Sequence, residues 1–173
     1  MLNALVPIAY IRLRFGWISV RLIRQGELLG DFEGKAQVAL KRASVASTAS
    51  LPEVVAVGDE VEDAIARFPE ELVVRTAFDH PRLIFGNLDN TILVMKHFVL
   101  RAAQQADISL RGCRVVIHPQ RELEGGLSDL EAQGLIELAT RAGGRDVGIY
   151  NGSAELTPQD LSAIRLRKPL NRS

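Results

Sequence analysis

Two apolar-alternating runs set about Gly16, at residues 8–15 and 17–23, restrict the fold of this chain more than any other feature. Ile11, Leu13 and Phe15 alternate with Arg12 and Arg14, the period of two that suits a strand with one face buried. Gly16 supplies the first turn, and Gln25-Gly26 supplies a second. The chain therefore opens with a β-hairpin. A short third strand is expected at residues 36–40, a small polar loop at 44–50, and another short strand at 54–57 ended by Gly58. A helix over 59–68 follows, with Asp59, Glu60, Glu62 and Asp63 in its first turns, where acids complement the helix dipole. Pro69 stops it.

The second half alternates helices with strands. Met95, Phe98, Val99 and Ala102 recur at three- and four-residue spacing and predict one buried stripe on a long helix over 89–105. Residues 114–117 form an apolar strand core ended by Pro119, the pattern of a buried parallel strand. Ser128-Asp-Leu-Glu131 is a capping box that opens a helix running to Ala142, and Gly143-Gly144 ends it. A strand at 147–150 follows, then a short helix opened by Thr157-Pro158 with proline at its first position. Strands first and helix–strand alternation afterwards give an α/β layout, with a mixed core sheet joining a hairpin to parallel strands.

At 173 residues the chain suits one domain, or one domain with a small insertion. Lysine plus arginine and aspartate plus glutamate both number 21, so no global field draws the protein to nucleic acid. The charge is placed unevenly. Arg12, Arg14, Arg21 and Arg24 lie in the hairpin, and Arg165, Arg167, Lys168 and Arg172 close the sequence. The lone Cys113 excludes an internal disulfide and fits a reducing cytoplasm. Residues 1–10 are apolar but too few to span a bilayer, and they read as the approach to the first strand. Peripheral contact of this segment with an inner membrane is the alternative.

The hairpin resembles the first β-hairpin of the actin-like ATPases, above all the family of the bacterial rod-shape protein MreB. Three further stretches carry the resemblance. Glu53-Val-Val-Ala-Val-Gly-Asp-Glu60 is similar to the family segment "VAAVG" with its helix start, where a small subdomain is inserted. Lys96-His-Phe-Val99 falls in the long helix where the family has "QHFI". Arg114-Val-Val-Ile, followed by 131–147 ending in Ala142-Gly-Gly-Arg-Asp-Val147, is similar to "RVLV…ERRAI…AGAREV". The matches are collinear from about residue 8 to about residue 155. They imply an actin-like (ribonuclease H-like) domain with helices on both faces of its sheet, and a small inserted subdomain over about 41–88.

The same resemblance implies that the nucleotide chemistry is dismantled. The family's first strand ends in Asp-x-Gly-(Thr/Ser), a metal-organising carboxylate followed by a phosphate-cradling turn. In the matching register Arg12 stands at the Asp and Arg14 at the Gly, with Phe15, Gly16 and Trp17 in and beside the turn. A guanidinium cannot organise Mg²⁺, and bulky side chains block the close backbone approach of a phosphate cradle. Where the family delivers a Glu-Glu-Pro that helps position water, this chain has Asn151-Gly152-Ser153. The sequence also stops about where the family crosses into its second large domain. No cofactor, metal or ATP hydrolysis is therefore expected.

Other chemistry is thinly signalled. No spacing of His80, His97, His118 and Cys113 resembles a zinc site. His118 lies at the carboxyl end of a parallel strand, where α/β sheets place ligand contacts, and Gly125-Gly126 precedes a capped helix. These are the only footholds for an unrelated enzyme. The expected role is non-enzymatic: a nucleotide-independent actin-like module acting through protein contacts, with an MreB-type filament or a second copy of itself as partner. Arg12, Arg14, Phe15, Gly16, Trp17, Asn151 and Gly152 make up the candidate interaction face.

Overall fold

The computed structural model describes residues 6–45, 52–80, 82–108, 112–120 and 126–164. Its strands are β1 (Ile8–Arg14), β2 (Trp17–Arg24), β3 (Glu27–Lys35), β4 (Gln37–Lys41), β5 (Val54–Val57), β6 (Leu72–Thr76), β7 (Arg114–Pro119) and β8 (Asp146–Ile149). Its helices are α1 (Arg42–Val45), α2 (Glu60–Arg67), α3 (Leu88–Gln105), α4 (Asp129–Arg141) and α5 (Pro158–Ala163). Five strands form the main sheet in the order β3-β2-β1-β7-β8. The first three are antiparallel, and β7 and β8 run parallel to β1. Helices α3 and α4 supply the connections that parallel pairing needs.

Two strands depart from the sequence expectation. The third strand in chain order is β3, not the 36–40 segment, and that segment becomes β4 in a separate sheet, β5-β4-β6. Glycines blur the signal of β3, and the packing explains both of them. A Cβ on Gly30 would lie 2.6 Å from the Ala102 carbonyl oxygen of α3, and one on Gly34 would lie 3.0 Å from the Asp59 carboxylate. Glycine weakens a strand by itself but lets a helix backbone come this close. The other strand, β6, pairs among the described residues with β4 alone and follows the Pro69 stop. Of the expected 44–50 loop, residues 44 and 45 end the single turn of α1, and 46–50 lie outside the described residues.

Each face of the main sheet is covered differently. Ala9, Ile11 and Leu13 join Ile18, Val20 and Leu22 in a core with Val94, Met95, Phe98 and Ala102 of α3 and Leu135 and Leu138 of α4. All four stripe residues of α3 are buried as expected. The Ser128–Glu131 capping box is present, and Glu131 also accepts the Ile84 N–H at 3.0 Å, fastening the approach to α3 onto α4. On the opposite face Ile8, Tyr10, Ile23 and Val116 meet Leu161 of the short α5, itself opened by a Thr157–Asp160 capping box. Helices thus lie on both faces, and among the described residues the second carries α5, six residues long.

The two sheets share one core, because Val38, Leu40 and Val57 belong to the same apolar cluster as Ile11 and Phe98. Backbone bonds close the junction. Ala36 N–H donates to Gly16 O at 2.8 Å, Gly16 N–H to Phe78 O at 3.1 Å, and Ala77 N–H to Ala36 O at 2.6 Å. The acids at the start of α2 add to it: Asp59 accepts the Lys35 N–H at 3.1 Å, Glu62 pairs with the Lys35 ammonium, and Glu60 lies 3.7 Å from Arg101. Among the described residues no helix is long and apolar enough to cross a membrane. Of residues 1–10, for which membrane contact is the alternative, Ile8, Ala9 and Tyr10 are buried in β1, and 1–5 lie outside the described residues, as does the basic 165–172 segment.

Candidate functional site

Pleating decides which hairpin residues meet. Opposed residues of a ladder share a face, so Tyr10, Arg12 and Arg14 stand with Arg21, Ser19 and Trp17 on the α5 side. Parallel pairing brings His118 beside Arg12 on the same side. The segment after β8, residues 150–157, crosses these strand ends and completes the site.

Arg12 is 4% exposed. Its Nε donates to Ser19 Oγ at 2.8 Å, and its terminal nitrogens reach Glu155 Oε1 at 2.6 Å and Glu33 Oε2 at 3.7 Å. A buried guanidinium is tolerated only with such pairing. Arg14 is half exposed and donates to Gln120 Oε1 at 3.0 Å and Glu155 Oε1 at 3.2 Å. Arg21 bonds Asp31 at 2.9 Å and Glu155 Oε2 at 3.4 Å. Three arginines thus converge on Glu155, which also accepts from Gln120 at 3.4 Å. Partial burial pushes the Glu155 carboxyl up, but the Arg12 bond and charge, Gln120 and Arg21 outweigh it and hold it below its ordinary range.

Beside this cluster runs a closed hydrogen-bond chain. Leu156 N–H donates to the Tyr10 hydroxyl at 3.2 Å, and that hydroxyl lies 2.5 Å from His118 Nδ1. His118 Nε2 lies 2.8 Å from the Gly152 carbonyl oxygen. A carbonyl only accepts, so Nε2 carries the proton and Nδ1 accepts from Tyr10. Both ring nitrogens are engaged within the chain. Burial lowers the His118 pKa, and the Gly152 bond opposes that. Tyr150 meets the imidazole edge-on, with centroids 4.8 Å apart. His118 therefore fastens the 150–157 segment to the sheet.

The other expected residues are placed as follows. Gly16 has φ +61° in the hairpin turn, and its N–H is committed to Phe78. Phe15 projects from that turn, 62% exposed, and Trp17 is half-buried opposite Arg14. Asn151 is exposed, and Gly152 serves through its carbonyl. The structure thus brings Arg12 and Arg14 together and leaves Asn151 apart from them. Glu155, Arg21, Tyr10 and Gln120 were not singled out for this site. Of these, only Arg21 carried a signal, its alternation with the apolar Val20 and Leu22. Cys113 is buried among apolar neighbours, and burial pushes its thiol up, as befits a small core residue. Gly125 lies outside the described residues. Among the described residues no group of three or more His, Cys, Asp or Glu is placed to hold a metal ion.

The main sheet thus extends an antiparallel β1–β2–β3 meander with parallel β7 and β8. The fold is actin-like. The chain is similar to MreB5 of Spiroplasma citri bound to ADP, with a TM-score of 0.58 and 15% identity over 84% of this chain. It is likewise similar to MreB5 bound to AMPPNP, with a TM-score of 0.57 and 15% identity over 83% of this chain. It spans 38% of the length of each. No protein-family model matches the sequence, and no curated protein matches it.

Proposed function

We propose that this protein is a non-enzymatic, nucleotide-independent actin-like module that works through protein contacts. The observation that carries the reading is Arg12. This residue, aligned by resemblance with the family's metal-organising carboxylate, is a buried cation neutralised by the chain's own Glu155. The site is thus electrostatically complete without nucleotide or Mg²⁺. The turn supports the same reading, since the Gly16 N–H that a phosphate would need is bonded to Phe78. The contact face comprises the hairpin tip and the open part of the α5 side, where Phe15, Trp17 and Arg14 combine an aromatic pair with a guanidinium, the residue types favoured as interface anchors.

The partner proposed is an MreB-type filament, by way of the resemblance. Co-sedimentation with full-length MreB polymer, with and without ATP, tests this. Pelleting that is independent of nucleotide and lost in Phe15→Ala/Trp17→Ala is the expected result; no association and no effect on polymer would remove the filament from the proposal. Self-association is the second reading. It is favoured by β3, whose outer edge pairs with no other strand among the described residues. A concentration-dependent dimer in analytical ultracentrifugation would select it.

A further inference from the structure

Asp31 and Glu33, on β3 next to the hairpin, answer Arg21 and Arg12 from within the sheet. Glu155 does not belong to the sheet. It arrives on a segment with neither strand nor helix backbone, 143 residues from Arg12 in the chain, and brings the carboxylate nearest to Arg12. Its own side chain is 39% exposed, beside Arg14 at 52%. The cluster holds three guanidiniums and three carboxylates, so loss of Glu155 leaves it one positive charge in excess: Arg21 keeps Asp31, Arg12 keeps Glu33 at 3.7 Å, and Arg14 loses its carboxylate. A carboxylate in that place restores the balance.

We propose that the Arg12–Arg14–Arg21 group is an exchangeable carboxylate site, filled in the free chain by Glu155, and that an acidic side chain of the partner displaces it on docking. This rests on the contact-module reading and specifies the partner's chemistry: an acidic residue flanked by an apolar one. Guanidiniums take carboxylates with paired, directional hydrogen bonds. Arg14 presents the accessible rim of the site, and the exposed Phe15 and half-buried Trp17 beside it offer the apolar contact. Because Glu155 is tethered, it competes at high effective concentration and keeps the site closed to dilute free anions. Only a partner that adds surface contact outcompetes it.

Trp17, the only tryptophan in the sequence, pairs directly with Arg14 and reports the site by intrinsic fluorescence. Acetate and inorganic phosphate are titrated at constant ionic strength into the full chain and into Glu155→Gln. Removing the internal competitor is expected to tighten acetate binding about tenfold or more, and a further Arg14→Gln change to abolish the gain. Equal binding to both proteins, or none to either, would overturn the exchange. A response to phosphate alone would also overturn it, since the site would then take a phosphate-bearing ligand and not an acidic side chain. Should Glu155→Gln fail to fold, Glu155→Asp, which retracts the carboxylate by one methylene, carries the same comparison with a smaller gain. The titration uses no protein partner. Its failure removes the exchange and leaves the contact module standing, whereas failed co-sedimentation removes the filament and leaves the exchange site.

Discussion

At the scale of single residues, what crosses above a side chain matters more than residue type. Arg12 and Arg14 look equivalent as polar members of an alternating strand, yet Arg12 is buried and Arg14 half exposed, because only Arg12 lies beneath the 150–157 segment. Tyr10 is the pivot of that segment, bonding Leu156 N–H and His118 together. Tyr10→Phe strands both groups in a buried setting and is expected to cost about 1–3 kcal/mol in urea unfolding. An unchanged midpoint would remove the hydroxyl from its structural role. Glu155 gives a pH signature. Its folded pKa lies below the ordinary 4.5, so the unfolded chain binds the proton more readily. Its contribution to stability is present above about pH 4.5 and disappears as pH falls through the depressed value. The acid-side loss of stability should therefore be shallower in Glu155→Gln than in the parent when thermal midpoints are followed across that window.

At the scale of elements, β3 and α3 approach too closely to admit a side chain between them. Helix α3 rests its Ala102 carbonyl where a side chain at Gly30 would go, and Ala106 Cβ would be only 3.3 Å from such a group. Backbone cannot yield as a flexible side chain does. Gly30→Ala is expected to destabilise by about 1–3 kcal/mol through overpacking, despite alanine's lower conformational entropy in the unfolded chain. Gly126→Ala is the contrast: nothing lies within 4 Å of its Cβ, and the penalty comes only from its φ of +78°. Chemical denaturation of the two variants separates crowding from backbone strain, and a smaller loss for Gly30→Ala than for Gly126→Ala would refute the crowding argument.

At the scale of the whole molecule, two sheets share a core and are fastened by the Gly16, Ala36 and Phe78 backbone bonds. Such continuity predicts a single cooperative unfolding transition. Calorimetric and van't Hoff enthalpies should agree, and a separate early transition for β4, β5, β6 and α2 would show that the second sheet melts alone. The chain's coverage of 38% of the MreB5 structures makes this a test of whether that much of an actin-like fold is one thermodynamic unit.

Periodicity and punctuation were enough for the hairpin, the α3 stripe, both parallel strands and the Ser128 and Thr157 helix starts, because each is a local preference written in adjacent residues. The collinear motifs pointed to the actin-like fold for the same reason. Strand β3 escaped, since its Gly30 and Gly34 answer to α3 and Asp59 and not to their own neighbours. The site escaped in part. Arg12 and Arg14 were legible as misfits in a phosphate turn, but nothing near residue 155 announces a counter-ion for residue 12. Hydrophobic alternation fixes which face a side chain takes, and it acts between neighbours. Whether an arginine on that face meets water or a carboxylate depends on which distant segment crosses above it, and only the folded chain brings Glu155 to Arg12.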